Sequence, residues 1–243
     1  MPSAAPEFFI VIPAFNEAAR LPKFVRELAE TFGDDPTVAI QIVDDGSRDA
    51  DFDACKVAAD DAGPLFRDII RLEANEGKGA AILAGWAAAA ESPWVGFVDA
   101  DGAVSAETLK ESIALARTRT EVDAWFGSRV KMLGKTVARS LLRHYVGRVF
   151  ATIVGMTVNP DVYDSQCGLK LVRREALDRI RPKLAEKEFG FDVDLLAGLV
   201  ATGARVVENP VDWEDVAGST VRLFRDSWRL FLATRRVRAR WQV

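Results

Sequence analysis

The chain has 243 residues, 49% apolar and 28% charged, so it can bury a substantial core and is excluded from the disordered and collagen-like classes. At roughly 150 residues per domain this is one large domain, or a domain with an appendage, and not two independent enzymes. Its 32 basic and 36 acidic side chains leave a net charge of −4, which argues against a general nucleic-acid binder and makes the seven arginines after Thr220 a local feature.

Short β-branched and aromatic runs alternate with Ala/Leu-rich segments, the mark of an α/β domain with a mostly parallel sheet. Strands are predicted at Phe8–Ile12, Val38–Val43, Asp68–Leu72, Trp94–Val98 and Val122–Gly127, with helices at Ala18–Phe32, Asp51–Ala62, Gly79–Ala90 and Ser105–Arg117. A partly basic helical stretch is expected from Gly134 to Gly155, then a loop at Asn159–Gly168 and the segment Leu169–Val172. Helices near Glu175–Arg181 and Phe191–Thr202 follow, and then a last strand at Arg205–Glu208 ended by Pro210. Val221, Phe224, Trp228, Phe231 and Leu232 form one helical stripe in a basic C-terminal tail. No repeat or linker marks a domain boundary.

Cys55 and Cys167 are too few for a disulfide scaffold or a zinc site, which predicts a reducing, cytoplasmic setting. The first 17 residues lack a basic leader, and Pro13 and Asn16 break their apolar run, so they do not read as a signal peptide. Gly79–Ala90 and Val149–Val158 are the longest charge-free apolar stretches, shorter than the ~20 residues of a membrane span.

Ligands of open α/β sheets gather beyond the carboxyl ends of the strands, and each of the first five strands is followed there by polar residues. Asp99-Ala100-Asp101 ends an apolar strand, and two carboxylates at i and i+2 suit a hard divalent cation shared with phosphate oxygens; a solvated turn or a cap for the helix near Ser105 is the plainer reading. Asp44-Asp45-Gly46-Ser47 is a second acidic turn, where one aspartate is expected to cap and the other to face a base or ribose, with Gly46 at positive φ and Ser47 or Asp49 capping the next helix. Gly77-Lys78-Gly79 opens a helix and brings amide groups and an ammonium to one place. It is not a Walker A loop, because Leu72 and Gly79 stand where that motif has glycine and Ser/Thr. Pro13-Ala14-Phe15 after the first strand likewise excludes a dinucleotide-binding glycine fingerprint. Arg129 offers a planar fork for phosphate, or a surface ion pair. His144, among Arg143, Tyr145 and Arg148, reads as structural, and Cys167 as packing.

Taken in order, Val11–Glu17, Val43–Ser47, Asn75–Gly79, Asp99–Gly102, Gly127–Arg129 and Asp164–Leu171 resemble family-2 inverting glycosyltransferases, nearest the dolichyl-phosphate (polyprenyl-phosphate) glucosyl- and mannosyltransferase branch. Phe189–Leu196 and Pro210–Ser219 are similar to that branch too, and the resemblance spans about residues 7–222. It implies a glycosyltransferase-A fold, a Rossmann-like mostly parallel sheet flanked by helices, with residues 1–220 as catalytic domain and 221–243 as a basic amphipathic tail. It also implies a nucleoside-diphosphate-sugar donor, with Mg²⁺ or Mn²⁺ as cofactor. Pro13, Ala14, Phe15 and Glu17 would wall the nucleotide pocket together with Asp45 and Gly77, Asp44 would read the base, Asp99 would hold ribose, and Asp101 would be the metal ligand. Lys78 and Arg129 would meet phosphate charge, Asp164 would face sugar and acceptor, and Gln166 would assist.

A hydroxyl acceptor needs a general base, and Asp164 is then the leading candidate. A phosphomonoester, with a second pKa of about 6, is already anionic at neutral pH and needs none. A polyprenyl phosphate acceptor further predicts contact with a membrane surface, through the Phe224, Trp228 and Phe231 stripe and the Val149–Val158 run. A nucleotide-sugar-binding scaffold without catalysis is the alternative from another class, and no nucleic-acid partner is expected.

Overall fold

The computed structural model describes residues 5–33, 35–89, 91–130, 132, 134, 136–138, 154–155, 158, 162–214, 216 and 223–243. Its first half follows the predicted alternation: β1 (Phe8–Ala14), α1 (Leu21–Phe32), β2 (Val38–Asp44), α2 (Asp49–Asp61), β3 (Ile70–Arg71), α3 (Lys78–Ala88), β4 (Trp94–Val98), α4 (Ala106–Thr118) and β5 (Ala124–Ser128). Then come β6 (Val137–Ala138), β7 (Leu169–Arg173), α5 (Arg174–Ile180), α6 (Phe191–Ala201), β8 (Val206–Pro210), β9 (Trp213–Glu214) and α7 (Leu223–Trp241).

Seven strands form one sheet in the order β3-β2-β1-β4-β7-β5-β8. The period of two along each strand divides the core between its faces. On one side Phe8, Ile10 and Ile12 meet Leu21, Phe24 and Leu28 of α1 and Leu109 and Ile113 of α4. On the other, Phe9 and Val11 pack with Ala81, Ile82 and Trp86 of α3 and with Leu195 and Leu196 of α6. In α1 the buried residues Leu21, Phe24, Val25, Leu28 and Phe32 make a single stripe, and Pro22 stands in its first turn, where no amide donor is needed.

One expectation is corrected. Within the helix expected from Gly134 to Gly155, Val137–Ala138 is a strand paired in parallel with Trp213–Glu214, while most of the remainder, His144 included, lies outside the described residues. β7 runs antiparallel to both β4 and β5. Side-chain pattern carries no strand direction, so this reversal is decided by the path of the chain. The other paired strands of the large sheet are parallel, so the carboxyl ends of β1, β2, β4 and β5 share one rim.

Candidate active site

The rim is braced by loops tied to one another. The Asn16 amide donates to Ser47 Oγ at 2.8 Å, the Asp45 amide donates to Ala14 O at 2.8 Å, and Asn16 Oδ1 accepts from the Arg48 amide at 3.2 Å. Asp45 accepts from the amides of Glu76 and Gly77, each at 2.8 Å, which fastens the β2 turn to the start of α3. Asp44 Oδ2 accepts from the Ser47 amide at 3.1 Å and lies 3.5 Å from Arg71 Nε. Both carboxylates are thus engaged by the loops, and both residues are 3% exposed. Buried backbone amides at a strand end require acceptors, and these carboxylates supply them. Gly46 does have positive φ, but neither Ser47 nor Asp49 caps α2, whose N-cap is Arg48 without a side-chain bond. Pro13 and Ala14 lie at the end of β1, and Phe15, 40% exposed, stands on the rim.

Asp99 and Asp101 follow β4. Ser105 Oγ caps α4 by accepting from the Thr108 amide, so the acidic pair is not a helix cap. Asp101 Oδ1 accepts from the Ala103 amide at 3.0 Å, while its Oδ2 is 4.0 Å from Arg20. Burial and the neighbouring Asp99 charge raise the Asp101 carboxyl above its usual range. Glu17, ion-paired with Arg20, is raised chiefly by burial, with Asp101 and Asp99 adding to it. Lys78 Nζ is 2.7 Å from Asp99 Oδ1; burial opposes the ammonium charge, and Asp192 and Asp99 override it to hold it above the usual lysine range.

No group of three or more potential metal-ligating side chains occurs among the described residues. The chemistry here is that of an open site: hard carboxylate oxygens whose mutual repulsion a divalent cation would relieve, too few to enclose it without phosphate oxygens from a ligand. Mg²⁺ bound by one or two carboxylates plus substrate phosphates has that form.

Arg129 follows β5 and meets Asp164 in a bidentate pair, Nε–Oδ2 at 2.7 Å and Nη2–Oδ1 at 2.8 Å, with the Arg129 amide also donating to Oδ2 at 2.9 Å. Burial alone would raise the Asp164 carboxyl; the Arg129 guanidinium overrides it and brings it down to about 2. Asp164 is held from behind, its own amide donating to Glu208 Oε1 at 2.7 Å. The Gln166 amide donates to Asp164 Oδ1 at 3.1 Å. Three buried polar atoms beside this pair in sequence, Ser128 Oγ, Ser165 Oγ and Gln166 Nε2, have no hydrogen-bond partner, and buried polar atoms left so are exceptions that call for a water or a ligand. Cys167 is fully buried and its thiol is pushed by burial up to about 12, in line with a packing role.

Gly168 joins the two halves of the site. Its carbonyl accepts from the Asp99 amide at 2.9 Å, and a Cβ there would stand 2.2 Å from Asp99 Oδ2. Gly168→Ala must displace the Asp99 carboxylate and loosen its Lys78 contact. The expected result is a loss of about 1–3 kcal/mol in stability, measured by urea unfolding.

Two residues of the site were not singled out from sequence. Lys170, on β7, is fully buried with its Nζ 2.6 Å from Asp192 Oδ1, and Asp192, in the first turn of α6, also approaches Lys78 at 3.6 Å. The available signal was a lysine inside an otherwise apolar strand, Leu169-Lys170-Leu171-Val172.

The profile of the family described as Glycosyl transferase family 2 matches residues 9–181. The chain belongs to that family. The dolichyl-phosphate beta-glucosyltransferase of Saccharomyces cerevisiae is 31% identical over 240 residues, covering 91% of this chain and 71% of the relative. The Homo sapiens protein of the same name is 28% identical over 261 residues, covering 99% of this chain and 79% of the relative. Glycosyltransferase AglD of Haloferax volcanii is 31% identical over 248 residues, but this chain spans only 38% of it. Among solved structures, glucosyl-3-phosphoglycerate synthase of Mycobacterium tuberculosis with Mn²⁺, uridine diphosphate and glucosyl-3-phosphoglycerate gives a TM-score of 0.70 at 16% identity, covering 99% of this chain and 82% of that one. This likeness shows the fold, that of family-2 glycosyltransferases. The same protein was also solved with Mg²⁺ and uridine diphosphate, so neighbours of this fold hold a divalent metal.

Beside the predicted apolar stripe, the tail carries a second one by which it docks. Ala233, Thr234, Val237 and Trp241 of α7 are buried, while Trp228 is 63% and Leu232 37% exposed, and Trp228 stacks on Phe231. Arg236 and Arg240 are used in docking, 2.6 Å from Glu186 and 2.8 Å from Asp194. Among the described residues no helix is long and apolar enough to cross a membrane.

Proposed function

We propose that this family-2 glycosyltransferase moves glucose, with inversion, from a nucleoside-diphosphate sugar to a polyprenyl phosphate. The observation that carries the acceptor class is the Arg129–Asp164 pair. A carboxyl held at about 2 and bonded through both oxygens is a weak base, which counts against the hydroxyl-acceptor alternative. A phosphate oxygen, already anionic, attacks without proton abstraction, and the Arg129 charge beside Asp164 suits its recognition. The names of the 31% and 28% identical relatives support glucose and a dolichyl-type phosphate.

In this reading Pro13, Ala14 and Phe15 wall the nucleotide, Asp44 at the end of β2 reads the base, and Asp45 and Glu17 brace the loops through Gly77 and Arg20. Asp99 takes the ribose side and Asp101 holds Mg²⁺ or Mn²⁺. The ion, when bound, supplies charge stabilisation to the leaving diphosphate. Lys78 adds a fixed positive charge beside the same diphosphate, where negative charge develops as the glycosyl bond breaks. Gln166 Nε2, buried without a hydrogen-bond partner among the described residues, donates to the sugar or acceptor in this reading. Exposed Trp228 and Leu232, with Arg235 and Arg238 exposed on the same helix, suit a membrane surface where a polyprenyl acceptor resides.

The test supplies UDP-glucose or GDP-mannose with Mn²⁺ or Mg²⁺ and a polyprenyl phosphate in detergent. Lipid-linked glucose is the expected product. Donor turnover that ignores the lipid phosphate and requires a hydroxyl acceptor would overturn the acceptor assignment.

A further inference from the structure

Behind the proposed active site runs a row of four charges of alternating sign. Lys170 Nζ is 2.6 Å from Asp192 Oδ1, Asp192 Oδ2 is 3.6 Å from Lys78 Nζ, and Lys78 Nζ is 2.7 Å from Asp99 Oδ1. Lys170 also donates to Cys167 O, and both ammonium groups lie over the face of Phe97, at 5.3 Å for Lys170 and 4.8 Å for Lys78. Asp192 is 1% exposed, and its Oδ1 has no hydrogen bond of ordinary geometry despite the close ionic contact. Its charge is therefore balanced by the two lysines and not by a cradle of amides, unlike Asp194 in the same turn, which accepts from the amides of Ala185 and Glu186.

Stability does not explain such a row, because apolar residues of equal volume usually serve a core as well or better. The arrangement has a direction: Lys170 and Asp192 are closed off, the Lys78 side chain is 16% exposed, and Asp99 opens on the rim with a side chain 35% exposed. A lysine held only by Asp99 would collapse onto it and neutralise the carboxylate. A second carboxylate behind the ammonium shares that charge and fixes the stem, leaving one of its three N–H donors for an arriving anion.

We propose that Asp192 is a positioning residue, which holds Lys78 from behind so that its ammonium stays aimed at the phosphate side of the site, with Lys170 holding Asp192 in place. The functional half of this inference rests on the nucleoside-diphosphate-sugar reading above. The positional half does not.

Position is read by NMR of ¹⁵N-lysine-labelled full chain, in which only ammonium groups shielded from exchange give signals. The expected wild-type spectrum has two protected resonances, assigned by loss in Lys78→Met and in Lys170→Met. Asp192→Asn is expected to abolish the Lys78 signal. Where that variant does not fold, the charge-balanced pair Lys170→Met/Asp192→Asn takes its place with the same expectation. A Lys78 resonance that persists in the folded variant overturns the proposal.

Function is read by calorimetric titration with UDP-glucose and Mn²⁺. Asp192→Asn should weaken binding about tenfold in the wild-type background but less than about twofold in Lys78→Met, since a residue acting through Lys78 has nothing left to act on. Equal losses in both backgrounds would mark Asp192 as merely structural and overturn it. If wild type binds neither UDP-glucose nor GDP-mannose, the donor reading fails, and the ammonium spectra still decide the placement of Lys78.

Discussion

Asp101→Asn should lower glucosyl transfer by about two to three orders of magnitude, the usual cost of removing one electrostatic stabiliser of developing charge. The same substitution should leave the melting temperature unchanged or raise it. Asp101 has one oxygen bonded to the Ala103 amide, which asparagine also satisfies, and the other only approached by Arg20 at 4.0 Å. Its charge is disfavoured by burial and by Asp99, and it in turn raises Glu17. Removing a charge from three crowded carboxylates relieves the ligand-free protein while depriving the site of its proposed metal ligand. Activity lost with stability kept or gained separates this role from a structural one. The measurements are lipid-linked product formation with Mn²⁺ and calorimetric melting without metal. Full activity in the variant would remove Asp101 from the site.

The second large effect is on folding. Asp164→Asn gives the half-buried Arg129 guanidinium a neutral amide in place of a bidentate carboxylate, and breaking a buried pair from one side costs about 3–5 kcal/mol. The cost has a pH signature. The carboxyl is lowered from 3.8 to about 2, so its contribution is complete above its unfolded value and is lost as pH falls through the folded one. The stability gap between wild type and Asp164→Asn should therefore be full at pH 5 to 6 and shrink toward pH 2. Urea titrations of both proteins across that range check it. A gap independent of pH would mean that shape, not charge, makes the contact. Replacing both partners, as Arg129→Met/Asp164→Leu, should recover much of the stability and none of the transfer, because the Arg129 charge proposed to meet phosphate is gone. Retained transfer in that pair would refute the proposed acceptor site.

Much of this protein was readable in its residues. The alternation of apolar runs located nine elements of the first half, and Trp94–Val98 was predicted with its observed ends. Polar residues after each strand, together with the expected parallel sheet, located the rim. Periodicity depends on neighbours along the chain, and so does the turn chemistry of Gly46 and Gly77. The ordered motifs from Val11 to Leu171 likewise fall within the matched family region 9–181.

Other features depend on partners far apart in sequence. The reversed direction of β7 is set by how the chain enters the sheet. Nothing in the acidic turn Asp44-Asp45 itself announces the Glu76 and Gly77 amides, 31 and 32 positions away, that Asp45 accepts from. The tail carries two stripes, and only packing against α6 determined that Ala233, Val237 and Trp241 go inward while Trp228 and Leu232 stay out. Arg129 and Asp164, 35 residues apart, were assigned separate duties and prove to be one bidentate pair. By itself the sequence determined the fold class and the rim where the chemistry resides, since both follow from local pattern. The pairing of each buried charge was left to the tertiary structure, because that depends on which distant side chains meet.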